Sequence, residues 1–118
     1  MPHVTLECSA NVIEDNYEKI LLEIHHILAD MLPTQLESCK GRIIEHKHYV
    51  VGNGDKKNAF VHLSVQTIPG RSDEVINSAA YAVLEYLKGS FAESFSKRNL
   101  QISVAIDNLP KAYLKYKK

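Results

Sequence analysis

The sequence predicts an α+β fold, with four strands in one layer and two helices on one of its faces. Three observations carry this. Some short segments alternate apolar and polar residues with the two-residue period of a half-buried strand. Two longer segments repeat apolar residues at helical spacing. The order strand, helix, strand then occurs twice, although no residue-level repeat accompanies it.

Residues 2–8 form the first strand: Pro2, Val4, Leu6 and Cys8 point one way, and His3, Thr5 and Glu7 the other. The polar stretch "SANVIEDN" follows, with Asp15 or Asn16 placed to cap a helix. Tyr17, Ile20, Leu21, Ile24, Ile27, Leu28 and Met31 make the apolar stripe of that helix, and Pro33 closes it. "GRIIEHKHYVV" at 41–51 is a strand rich in β-branched and aromatic residues, and "GNGD" at 52–55 is a turn. "NAFVHLSVQTI" at 58–68 opens the second round as a strand. "PGRS" turns the chain, with Ser72 as the N-cap. Val75, Ile76, Ala79, Ala80, Val83, Leu84, Leu87 and Phe91 form the second helical stripe, and "LQISVAI" at 100–106 is the last strand. Each round is long enough for a right-handed crossover between parallel strands. Pattern alone leaves open whether the rounds meet through their first strands or through a hairpin at "GNGD". We expect one domain over 1–118, with units at 2–51 and 58–107 and a basic, aromatic tail at 108–118. That tail is either a frayed end or a segment that docks on a neighbouring subunit.

Bulk properties exclude several functions. Acidic and basic residues balance, 14 against 14, so no basic excess points to nucleic acid and no polybasic segment to a membrane surface. No stretch approaches the roughly 20 apolar residues of a membrane span, and no signal peptide is legible. Cys8 and Cys39 are far apart and outside any CxxC, which suits reduced thiols and a cytoplasmic location. Cys8 lies on the apolar face of its strand as a packing residue. His46 and His48 share a strand face, but no third ligand follows at a metal-binding spacing, so no metal site is expected. His62, inside an apolar strand, is expected to be a satisfied core histidine. Nothing pairs Glu7 with Glu45 as acid and base.

Two features can carry chemistry. In "PGRS", Gly70 permits a turn into a helix start, where unpaired N–H groups favour an anion. Arg71 adds a planar donor fork suited to a carboxylate, although a solvated surface arginine fits the same pattern. Pro2 is the other. Removal of an initiator methionine ahead of a small residue would turn its nitrogen into a secondary amine, fixed in space by the strand behind it. An α-amino group ordinarily titrates at about 7.7–8.0, and lowering that by one unit costs only about 1.4 kcal/mol. Apolar neighbours and a nearby Arg71 or Lys40 would act in that direction, leaving a neutral amine matched to work as a general base. On pattern alone an incidental second proline is the simpler reading.

"PHVTLECS" at 2–9, "NAFVHLSVQTIPGRS" at 58–72 and "RNLQISVAIDNL" at 98–109 resemble the 5-carboxymethyl-2-hydroxymuconate delta-isomerase family of the tautomerase superfamily. The resemblance spans nearly the whole chain, is weak between about 10 and 38 and is absent in the last eight or nine residues. It implies two βαβ units joined through their first strands into a mixed sheet, assembled as a homotrimer with the sheets facing inward. It implies an isomerase of aromatic-compound catabolism acting on a small keto/enol carboxylate, with Pro2 as catalytic base and Arg71 gripping a carboxylate. No cofactor is implied, because the substrate's own conjugation carries the electrons. One position departs: where the family's isomerase carries an "RSR"-like stretch, this chain reads "KGR" at 40–42. Arg42 matches the second arginine as a substrate-binding residue, while Lys40 replaces the first and keeps its charge without its bidentate fork. Two alternatives stand beside the isomerase. One is a hydratase- or dehalogenase-like reaction on the same scaffold, which generally needs a carboxylate to activate water. The other is a trimeric binding protein without turnover, which follows if Met1 is retained and Pro2 stays an amide.

Overall fold

The computed structural model describes residues 1–118. The elements run β1 (His3–Ser9), α1 (Tyr17–Met31), a 3-10 turn at Leu36–Ser38, β2 (Lys40–His46), β3 (Asn58–Thr67), α2 (Asp73–Ser90), α3 (Ala92–Lys97) and β4 (Asn99–Asn108). They form one four-stranded sheet in the order β2-β1-β3-β4. β1 runs parallel to β2 and β3 parallel to β4, whereas β1 and β3 are antiparallel. The two crossovers therefore meet through their first strands, not through a hairpin at "GNGD".

The alternation in β1 and β3 decides which face is closed. Val4, Leu6 and Cys8 of β1, with Val61, Leu63 and Val65 of β3, are buried against Ile20, Ile24 and Leu28 of α1 and Ala79, Val83 and Leu87 of α2. Leu100, Ile102, Val104 and Ile106 of β4 complete that face from the edge. α2 starts as the sequence predicts: the Val75 N–H donates to the Ser72 hydroxyl at 3.2 Å. Asp73 and Glu74 in its first turn and Lys88 in its last suit the helix dipole. Asn16 occupies the N-cap of α1, but its side chain makes no capping bond.

Three expectations need correction. β2 ends at His46 and not at residue 51. Its partner β1 ends at Ser9, opposite His46, and the Ala10 N–H closes the ladder on the His46 carbonyl at 2.9 Å. Residues 47–51 therefore have β-forming side chains and no strand to pair with. The glycines of the turn that follows do adopt left-handed backbone, Gly52 at φ 58° and Gly54 at φ 85°. Second, His62 is not a core residue: it lies half-buried on the face away from the helices, its Nδ1 2.6 Å from the Ser103 hydroxyl. Third, α3 and the 3-10 turn were not anticipated. α3 is held from outside by Glu14, whose carboxylate accepts from the Glu93 and Ser94 N–H groups at 2.9 and 3.2 Å and from the Ser94 hydroxyl.

Gly41 fits a requirement of packing. Its register partner is Val4, so it faces the helices, and a Cβ there would lie 2.7 Å from Nε2 of His25 on α1.

Candidate active site

Pro2 is buried just ahead of β1, and its carbonyl accepts from the Lys40 N–H at 3.0 Å. That bond and the ladder beyond it fix the start of the chain, which the ends of most domains lack. Pro2 follows Met1, so its nitrogen is here a tertiary amide. Met1 lines an open recess of about 560 Å³ with Pro33, Gln35, Ser38, Ile68 and Arg71 among its walls. The end of α1, the segment leading to β2 and the "PGRS" turn thus converge on the first residues of the chain.

Arg71 is held in place by its own backbone surroundings. Nε donates to the Leu32 carbonyl at 2.6 Å, and Nη1 donates to the Ile68 carbonyl at 2.9 Å and to the Thr67 hydroxyl at 3.2 Å. Nη2 has no protein acceptor, so two of the five guanidinium N–H groups remain for a ligand. The preceding Gly70 has φ 125°, a conformation that favours glycine, and no protein atom lies near its missing side chain. Lys40 spends one N–H on the Ser38 carbonyl at 3.3 Å.

The electrostatics at this point favour anions. The Met1 amine is held below its ordinary value of 8.0, first by burial and then by Arg71, with smaller contributions from Lys115 and Lys40 against an opposing one from Cys39. The Cys39 thiol is itself pushed up by burial. No Asp or Glu lines the recess.

Arg42 stands apart. It lies two residues beyond Lys40 along β2, opposite Thr5 and on the open face of the sheet. Its Nη2 donates to His3 Nδ1 at 2.9 Å. Arginine cannot accept, so Nδ1 is unprotonated, and His3 Nε2–H donates to the Tyr113 hydroxyl at 2.8 Å. Burial first, then Arg42 and Lys40, hold the His3 imidazole below its ordinary value and so favour this neutral form. Pro2, Arg71 and Lys40 are brought together, while Arg42 is engaged by His3. Sequence reasoning missed His3, Tyr113 and Lys115. Lys115 Nζ lies 2.9 Å from Met1 Sδ, and only the basic, aromatic composition of the tail hinted at it.

The remaining candidates fall into structural roles. Cys8 is buried, its thiol pushed up by burial and donating to Tyr17 at 3.5 Å, and Tyr17 donates to Glu45 at 3.1 Å. Glu7 pairs with His46 at 2.9 Å on the open face.

Paired βαβ units joined by their first strands are the fold of the tautomerase superfamily. More narrowly, residues 2–118 match the family model of 5-carboxymethyl-2-hydroxymuconate isomerase, and the chain belongs to that family. It is an isomerase. The match runs through the tail, where the sequence resemblance is absent. The chain is similar to 5-carboxymethyl-2-hydroxymuconate Delta-isomerase of Escherichia coli, at 27% identity over 110 residues, or 92% of this chain and 87% of that one. It is also similar to the crystal structure of a 5-carboxymethyl-2-hydroxymuconate isomerase from Deinococcus radiodurans R1, with TM-score 0.89, 28% identity and coverage of 98% of this chain and 88% of that one. A fused 4-OT symmetric trimer shares the fold at TM-score 0.75 and 15% identity, over 97% and 90% of the two chains. No helix is long and apolar enough to cross a membrane.

Proposed function

We propose that the chain isomerises 5-carboxymethyl-2-hydroxymuconate or a close keto/enol carboxylate, with the amine of Pro2 as general base once Met1 has been removed. Pro2 takes the proton of the 2-hydroxyl group and returns it to C5, so the double bonds shift and no group is lost. Arg71, through its free Nη2, and Lys40 hold substrate carboxylates and stabilise the dienolate. Arg42 serves from two residues further along β2, through the position it shares with His3. The observation that carries this reading is the lowered pKa of the Met1 amine, just ahead of buried Pro2 and β1, caused by burial and Arg71. The same environment would act on a Pro2 amine in the same direction, favouring the neutral form that a base requires. The absence of Asp and Glu from the recess favours proton transfer over reactions that add water.

Trimeric assembly is part of the proposal. The sheet face away from the helices is uncovered in the single chain, and a protein of this fold is a symmetric trimer. The setting on this reading is cytoplasmic breakdown of aromatic compounds. A second reading has its own observation: Met1 itself lines the recess, and a protein that kept it would bind anions there without turnover. The test is the ultraviolet change on mixing 5-carboxymethyl-2-hydroxymuconate with wild-type and Pro2→Ala protein. The base role predicts a loss of roughly 10²–10⁴ in kcat for the variant. Full activity in Pro2→Ala would remove it.

A further inference from the structure

The segment after β4 is not a loose end. Leu109 is buried, and its N–H donates to the Thr67 carbonyl at 2.8 Å. Thr67 also receives Arg71 through its hydroxyl, so the tail is anchored at the same residue that holds the site's arginine. Four residues further on, Tyr113 meets His3 edge-on, with ring centroids 5.7 Å apart, and its hydroxyl accepts from His3. Its neighbours Leu114 and Tyr116 are 94% and 98% exposed, so Tyr113 is the residue of this stretch that grips the sheet.

That grip brings Lys115 beside Met1, one of the residues that line the recess. Its ammonium lies 2.9 Å from the thioether of Met1 and pairs with no carboxylate in the chain. A thioether is a weak acceptor for a cation, and removal of Met1 would take away even that partner. We propose that Lys115 is a carboxylate-binding residue of the active site, and that Tyr113, latched on His3, is the positioning residue that delivers it. The ligand class is a polycarboxylate: Arg71, Lys40 and Lys115 provide three cations, matched to the three carboxylates of a carboxymethyl-substituted muconate. The lysine at 40 leaves the site without a bidentate fork at that position, and a further cation from the tail would offset the loss. Desolvation first, then Lys40 and Lys117, hold the Lys115 ammonium below its ordinary value, and a bound carboxylate would relieve the repulsion between the lysines.

This inference rests on the reading of the site given above, and two measurements separate the failure of one from the failure of the other. The first is steady-state isomerisation by full-length wild-type, Lys115→Ala, Lys115→Arg and Tyr113→Phe proteins. Losing a charge-assisted hydrogen bond to substrate predicts a KM raised roughly tenfold to a hundredfold in Lys115→Ala, with kcat within about twofold. Lys115→Arg restores KM to within a few fold, and Tyr113→Phe raises KM by a few fold without changing kcat. The second is calorimetric binding of propane-1,2,3-tricarboxylate, which has no bond to isomerise. Weaker binding by Lys115→Ala than by wild type supports the proposal even if the wild type turns nothing over, in which case the isomerase reading alone falls. Equal KM in wild type and Lys115→Ala, equal affinity for the tricarboxylate, or no binding by the wild type would each overturn it.

Discussion

Just ahead of β1, Met1 and Arg71 line an open recess of about 560 Å³ without a carboxylate in its walls, and Lys40 and Lys115 lie close enough to act on the Met1 amine. At its last residue β1 meets a network of bonds made among the protein's own groups. Asn11 donates to the Lys56 and Asn58 carbonyls at 3.2 and 2.9 Å, and Arg98 donates to the Asn11 carbonyl at 3.0 Å. The Ile13 N–H donates to Ser94, and Glu14 gathers the first turn of α3. Both arginines leave Nη2 without a protein acceptor, but Arg71 does so in the wall of the recess, whereas Arg98 ties the segment after β1 to the end of α3. One strand therefore has an end beside an open recess and an end whose neighbouring groups bond mainly to one another, with Asn11 Oδ1 left as a buried unpaired atom. Buried polar groups stabilise only when paired, and a site must leave some unpaired, so the two tasks are kept about one strand length apart.

This contrast can be broken by exchanging its consequences. Arg71→Ala should lower kcat/KM by about 10²–10³, the cost of removing one donor aimed at developing negative charge. Glu14→Ala, at the other end, should leave kcat/KM within about twofold and destabilise the fold by about 1–3 kcal/mol in urea, because two helix N–H groups lose their acceptor. An activity loss in Glu14→Ala larger than in Arg71→Ala would end the distinction.

Gly41 sharpens it, because it belongs to the site's strand and yet serves packing. Gly41→Ala should cost about 1–3 kcal/mol, since its Cβ would drive against His25. Gly41→Ala combined with His25→Ala should recover part of that loss.

The smallest expected effect is on pH. His3 and His25 both sit below the ordinary imidazole value of 6.5, each chiefly through burial, with Arg42 adding to His3 and His26 to His25. The unfolded chain then binds protons that the folded chain refuses, so this stability is present above about pH 6.5 and is lost as pH falls through lower values. Thermal midpoints should decline from pH 7 toward pH 5, and His25→Gln should flatten part of that decline. A midpoint that rose on acidification would contradict the sign.

The fold was largely legible because its strands and helices announce themselves in local periods. β1, α1, β3 and α2 each carry their own alternation or stripe. The end of β2 was not legible, because it is set by the length of β1 and not by the favourable "HYVV" that follows. His62 was misread although the signal was present: Val61, Leu63 and Val65 are buried, so the residues between them must face the other way. Of the candidate site, Pro2 and Arg71 are picked out by the family resemblance, since on pattern alone an incidental proline and a solvated arginine are the simpler readings. Lys115 is not, because nothing periodic ties the tail to the start of the chain. Side-chain contacts do so, Tyr113 with His3 and Lys115 with Met1, across 110 and 114 residues of sequence.

The central claim concerns the bond between Met1 and Pro2. Preparations fully cleaved and fully retaining Met1, each verified by intact mass, should be compared for kcat/KM on 5-carboxymethyl-2-hydroxymuconate. The account predicts turnover by the cleaved protein, with a rise in rate as the amine loses its proton below its ordinary value of about 8, and a loss of roughly 10²–10⁴ in the retained form. Equal activity in the two preparations would contradict it, because an acylated Pro2 nitrogen cannot take up a proton.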